Sequence, residues 1–105
     1  MDQQFREFII KTNQQKLNLS DDVMVAKFYH VTSTKNVKNI LKRGFKSGTW
    51  FVAKEEDTNQ YKRQTVKPYL MVCYIRLDGI VPSGDYFVSQ HKLIINNSSV
   101  WIPVN

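Results

Sequence analysis

Residues 28–45 read Phe28-Tyr29-His30-Val31-Thr32-Ser33-Thr34-Lys35-Asn36-Val37-Lys38-Asn39-Ile40-Leu41-Lys42-Arg43-Gly44-Phe45, and the hydrophobic period changes partway along. Up to Val31 the pattern, with β-favouring Phe28, Tyr29 and Val31, predicts a strand over 25–31. After it, Val37, Ile40 and Leu41 recur at helical spacing. Ser33 or Thr34 can cap that helix, and Gly44 stands where a glycine ends one. The outer face of the helix is Lys35, Lys38, Lys42 and Arg43. A short strand leading into a short cationic helix sets the expectation of an α+β domain.

The rest of the chain fits this plan. Residues 3–16 carry Phe5, Phe8 and Ile9 at i, i+3, i+4 among Gln, Lys and Asn, a polar amphipathic helix broken by 18–22. After a turn at 45–48, residues 49–53 read as a short strand. Glu55, Glu56 and Asp57 sit where a helix start favours negative charge, so a helix is expected over 55–65, before Pro68. Tyr69 to Leu77 is a nearly unbroken apolar run, suited to a central strand covered on both faces. Residues 78–91 read as a loop with one short strand at 86–88. Strands at 92–95 and 100–104 flank the turn Asn96-Asn97-Ser98-Ser99. One domain is expected over 1–105, with an N-terminal helix and linker at 1–22 and the core at 23–105.

Composition narrows the function classes. The 105 residues carry 15 Lys+Arg against 9 Asp+Glu, a formal charge of +6, which points to an anionic partner. The excess is concentrated. No acid occurs between Asp22 and Glu55, a stretch holding Lys27, Lys35, Lys38, Lys42, Arg43, Lys46 and Lys54. Beyond Glu56 there is no glutamate at all. No apolar run approaches the roughly 18 residues of a membrane span, and MDQQFREF has the features of neither part of a signal peptide. A single Cys fits a reducing cytoplasm, and Cys73, inside the apolar run, reads as core. One Cys and two distant His exclude a zinc site, so no metal is expected. The four scattered Gly build no phosphate-cradling loop.

Three segments taken together carry more information. They are Phe28 to Ser33 with Asn36, Ile40-Leu41 and Gly44-Phe45; then Gly48-Thr49-Trp50-Phe51-Val52; then Thr58 and Tyr61. Their order resembles the ADP-ribosyltransferase superfamily, in particular its His-Tyr-Glu branch. There a strand ending in tyrosine-histidine leads to a helix closing in Ile-Leu-x-x-Gly. A Gly-x-Tyr-Phe strand follows, then a helix with a second aromatic about eleven residues on, as Trp50 and Tyr61 are here. The opening, YHVTSTKNVKNILKRGF, is most similar to the DNA-modifying DarT-like branch and to RNA 2′-phosphotransferases.

The resemblance covers residues 26–104 and implies two small, mostly antiparallel sheets packed face to face, with short helices on the flanks and NAD in the cleft between them. It implies that His30, Thr32, Trp50, Phe51, Thr58 and Tyr61 line that cleft. His30 would bond a ribose hydroxyl, and Trp50 and Tyr61 would sandwich the nicotinamide. ADP-ribose would pass to a protein or nucleic acid, for which Lys35, Lys38, Lys42, Arg43 and Lys46 are the contact candidates.

The chain departs from the family at its catalytic glutamate, whose place falls on Lys92 in Gln90-His91-Lys92. A lysine cannot stabilise a developing oxocarbenium ion. Three readings follow. The first is a divergent transferase with His30 and with Gln90 or Asp85 serving in the glutamate's stead. The second is phosphotransferase-like chemistry served by Lys92. The third is a silent module that binds NAD, an ADP-ribose-type nucleotide or a macromolecule, as a bacterial or phage toxin or anti-defence factor would. A basic nucleic-acid binder is the plainest alternative.

Overall fold

Strand β1 (Val25–Ser33) opens the described part of the computed structural model, which covers residues 25–104. The helix expected over 3–16 and the linker after it lie outside the described residues. A 3₁₀ turn (Thr34–Asn36) leads into helix α1 (Val37–Arg43). Neither Ser33 nor Thr34 caps it with a side chain. The Thr34 hydroxyl instead donates to the Lys67 carbonyl at 2.8 Å, tying the start of α1 to the chain ahead of β3.

Next come β2 (Trp50–Phe51), a 3₁₀ turn (Glu55–Thr58) and helix α2 (Asn59–Gln64), then β3 (Pro68–Arg76) and a further 3₁₀ turn (Leu77–Gly79). The acidic triplet occupies the first turn of the 3₁₀ segment, as the charge pattern predicts. The chain closes with β4 (Ile80–Ser83), β5 (Tyr86–Ser89), β6 (Lys92–Ile95) and β7 (Val100–Val104).

The described residues form a small α+β domain with a four-stranded and a three-stranded sheet and two short helices. The larger sheet runs β1-β3-β7-β6, with β3 and β7 parallel and the other pairs antiparallel. The smaller sheet, β2-β5-β4, is antiparallel. Phe28, Met71, Cys73, Ile75, Leu93 and Trp101 from the first sheet share one core with Phe51, Ile80 and Phe87 from the second. Phe28 meets Phe87 edge to face at 4.8 Å between centroids.

Two expectations need correction. β3 is central in its sheet but is not covered on both faces. Met71, Cys73 and Ile75 point inward, while Val72, on the other face, is 50% exposed. An antiparallel partner on one side lets that strand keep a wet face, which a run of Leu, Val and Tyr conceals. Residues 80–89 form a hairpin rather than a loop with a single strand. Gly84 at φ +62 is the first of its two loop residues, the position that a tight reversal assigns to glycine. Gly84-Asp85 between Val81 and Phe87 was the signal. Pro82 is tolerated because β4 is an edge strand.

Residues 45–52 close the space between the sheets. Phe45 exchanges backbone bonds with Leu93 on β6, at 2.8 and 3.0 Å. Val52 does the same with Tyr29 on β1, at 2.8 and 2.9 Å. One segment, with a turn at 46–49, therefore joins β6 at one edge of the large sheet to β1 at the other.

Candidate functional site

His30 lies on the inward face of β1 and is 8% exposed. Its Nδ1 stands 2.7 Å from the Trp50 carbonyl. That oxygen can only accept, so Nδ1 carries the proton and Nε2 keeps its lone pair. The ring is walled by Phe45, Trp50 and Phe51, with centroids at 5.2, 4.7 and 5.4 Å. Burial pulls the imidazole pKa below its ordinary 6.5, and the bond to Trp50 offsets only part of that. At neutral pH His30 is therefore an uncharged, oriented imidazole.

A cavity of about 410 Å³ opens on this ring, lined by His30, Asn36, Asn39, Ile40, Gly44, Phe45, Lys46, Thr49 and Trp50. Such a volume falls in the range of small-molecule sites, about 300–1,000 Å³. Three elements build it. β1 supplies the histidine, the turn into α1 and α1 itself supply two amides, and the 44–50 segment supplies the rest.

Gly44 makes the approach of that segment possible. Its φ is +89, and a Cβ there would fall on the Leu93 carbonyl oxygen. Ser89, 1% exposed, then pins the 46–49 turn. Its hydroxyl donates to the Lys46 carbonyl at 3.0 Å and accepts from the Thr49 amide at 3.0 Å. Backbone bonds from Gly48 to Ser89 and from Ser89 to Thr49, at 2.8 and 2.9 Å, complete the clasp. Lys46 and Thr49 are thus held at the cavity by a buried residue that has no contact role of its own.

The residues singled out in the sequence separate into groups. His30, Trp50 and Lys46 share the cavity. Tyr61 reaches it only through Trp50, because the two rings stack with centroids 4.0 Å apart and planes 25° from parallel. A third ring between them would require about 7 Å, twice a normal stacking distance. Phe51 is fully buried and backs the site from the core instead of lining it. Thr58 is fully buried, and its hydroxyl is spent on the Glu55 carbonyl of its own turn at 2.5 Å. Thr32 sits farther along β1, opposite Tyr69, and does not line the cavity.

Gln90 is exposed, and its carbonyl accepts from the Ser47 hydroxyl at 2.9 Å. Lys92 is exposed at the start of β6, paired with Val104. Neither lines the cavity, nor does Asp85, and no carboxylate among the described residues does. Lys35 lines a second cavity, of about 310 Å³, with Ser33, Thr34, Val66 and Lys67. Lys38, Lys42 and Arg43 are exposed on α1.

Sequence reasoning missed Asn39, Thr49 and Ser89. Asn39 on α1 and Thr49 line the cavity with His30, and Ser89 clasps the 46–49 turn behind it; no motif spacing encodes these placements. Cys73 is fully buried, and burial pushes its thiol up to about 12, so it is packing and not a nucleophile. No group of three or more His, Cys, Asp or Glu among the described residues is arranged to hold a metal ion. No helix among them is long and apolar enough to cross a membrane.

The cavity's chemistry is therefore one imidazole acceptor, two amides, one hydroxyl, one ammonium and aromatic walls. That set recognises hydroxyls, amide-like edges and an anion, and among the described residues it includes no carboxylate to stabilise a developing cation. Comparison with protein-family models, curated proteins and solved structures finds no match for this chain.

Proposed function

We propose that the chain is an ADP-ribosyltransferase-like module that binds an ADP-ribose-type nucleotide in the His30 cavity and acts by binding, not by transfer. His30 Nε2 accepts from a ribose hydroxyl. Asn36 and Asn39 read the polar edges of the ligand, and Lys46 meets its diphosphate. The fixed tautomer of His30, set by the Trp50 carbonyl, is the observation that carries this reading, because at neutral pH it leaves Nε2 as an acceptor in a pocket also lined by amides, a hydroxyl and an ammonium.

Two further features define the ligand. The closed Trp50–Tyr61 stack leaves no slot for a nicotinamide, so ADP-ribose is favoured over NAD, which has to part the rings. Among the described residues no carboxylate lines the cavity, which argues against cleavage of the nicotinamide bond.

Calorimetry with ADP-ribose and NAD tests the binding. The expected result is measurable affinity for ADP-ribose, weaker affinity for NAD, and loss of at least tenfold, about 1.4 kcal/mol, in His30→Ala. No heat with ADP-ribose at millimolar concentration would sink the proposal. Nicotinamide release from NAD, followed by chromatography, tests the absence of transfer. Release above background that depends on His30 would make the module an enzyme.

A further inference from the structure

The second cavity, of about 310 Å³, shares no lining residue with the His30 cavity. It lies where β1 ends and β3 begins. Ser33 faces Pro68 in the β1–β3 ladder, so the chain leaving β1 runs beside the chain entering β3. The Thr34 amide and hydroxyl both donate to the Lys67 carbonyl, at 2.9 and 2.8 Å, and fasten the two segments together. Lys67 holds φ +47, a left-handed turn that few residues with a Cβ adopt. The Thr34 amide is spent on that bond, so the groups free to meet a ligand here are side chains.

Those side chains are poorly matched to one another. Lys35 and Lys67 are exposed, and neither has a carboxylate partner among the described residues. Two ammonium groups on one small cavity repel each other. The Ser33 hydroxyl is buried and has no hydrogen-bond partner. A buried hydroxyl left unpaired is costly, and an isolated case in a native fold calls for a partner such as an ion or a water. Val66, 81% exposed, adds an apolar surface. An anion with a short carbon chain would satisfy all four groups at once.

We propose that this cavity binds the phosphate monoester of a small organic molecule, with the dianion between the Lys35 and Lys67 ammonium groups, one oxygen accepting from the Ser33 hydroxyl, and the carbon chain against Val66. A monoester phosphate carries about −1.5 to −2 charges near neutral pH, which matches two lysines. A phosphodiester, with a single charge, leaves one of them unmatched. Lysine serves such a group as a point charge that any of its oxygens can meet. The volume stands at the lower end of small-molecule sites, about 300–1,000 Å³, and leaves room for a short chain beside the phosphate.

Calorimetry at about pH 7.5, where the monoester is mainly the dianion, is the test, with inorganic phosphate, n-propyl phosphate and dimethyl phosphate as probes. The wild type should bind propyl phosphate more tightly than inorganic phosphate, and dimethyl phosphate at least tenfold more weakly than either. Val66→Ser should erase the advantage of the propyl ester. K35Q/K67Q should bind both monoanion-to-dianion probes about tenfold or more weakly. Ser33→Ala loses no bond in the free protein, so it should melt at or above the wild-type temperature and still bind phosphate about tenfold more weakly.

No binding of either dianion at millimolar concentration, unchanged affinity in K35Q/K67Q or in Ser33→Ala, a propyl advantage that survives Val66→Ser, or dimethyl phosphate bound as tightly as the monoester would each overturn the proposal. His30→Ala separates this site from the nucleotide cavity. It should keep phosphate binding while ADP-ribose binding falls, and loss of phosphate binding in that variant would place the anion in the His30 cavity and overturn the second site.

Discussion

His30 and Gly44 show how single residues set the site. For His30 the sign of the pH effect follows from its burial. The unfolded chain takes up a proton near 6.5, and the folded chain does so only at lower pH. Between those values the unfolded state holds more protons, so stability rises with pH. Taking the protein from pH 7 down through 6.5 should lower its urea midpoint, and His30→Gln should flatten that response. A midpoint equally steep in the variant would assign the effect to another group.

Gly44 combines positive φ with contact against the Leu93 carbonyl, whereas Gly84, also at positive φ, has open space where a Cβ would stand. Gly44→Ala should therefore cost about 3 kcal/mol or more, with both strain and clash contributing. Gly84→Ala should cost only the conformational part, about 1 kcal/mol. Thermal melts of the two variants, side by side, check the contrast. Gly44 was legible in the sequence as a helix-ending glycine. That it also admits β6 was not, because the clash is with a residue about fifty positions away.

Among the elements, the 44–52 segment governs the cavity, and its conformation depends on Ser89. Ser89→Ala should leave the Thr49 amide with only its 3.2 Å bond to the Lys46 carbonyl, and that carbonyl with one donor fewer, costing about 0.5–1.5 kcal/mol. ADP-ribose affinity should drop with it, while Ser47→Ala, which removes an exposed bond to Gln90, should change little. Calorimetry and melts on both variants decide this. β2 and α2 meet in the Trp50–Tyr61 stack, and that contact is an optical reporter. A ligand that parts the rings should change tryptophan emission in the wild type and not in Tyr61→Leu. Trp101, buried against Phe45, contributes a constant background. The resemblance implied that Trp50 and Tyr61 would face each other across a nicotinamide. It did not foretell that they would rest on each other, since eleven residues of separation is equally compatible with an open slot.

The whole molecule is held by one core shared between two sheets, and Cys73 is its internal probe. Fully buried, with its thiol pushed up to about 12, it should resist a thiol reagent at pH 8 until the domain opens globally. The labelling rate should rise in step with denaturant and match the unfolding free energy from circular dichroism. Fast labelling of the native protein would show that β3 opens locally.

Charge is the other property of the whole molecule. A net +6 says little alone. The fold places Lys35, Lys38 and Lys42 beside the cavity, and the exposed Arg76–Asp78 pair, at 2.6 Å, does nothing to neutralise them.

The sequence by itself determined the α+β class, most strand positions, the cationic face of α1 and the lack of a glutamate near β6, because these depend on local period and on composition. The tertiary structure alone decided which side chains share the cavity. His30, Lys46, Thr49 and Asn39 come from three elements, and their meeting depends on the bridges of Phe45 to Leu93 and Val52 to Tyr29. Such pairings form between residues far apart in the chain, through backbone groups that every residue carries. No local pattern of side chains records them.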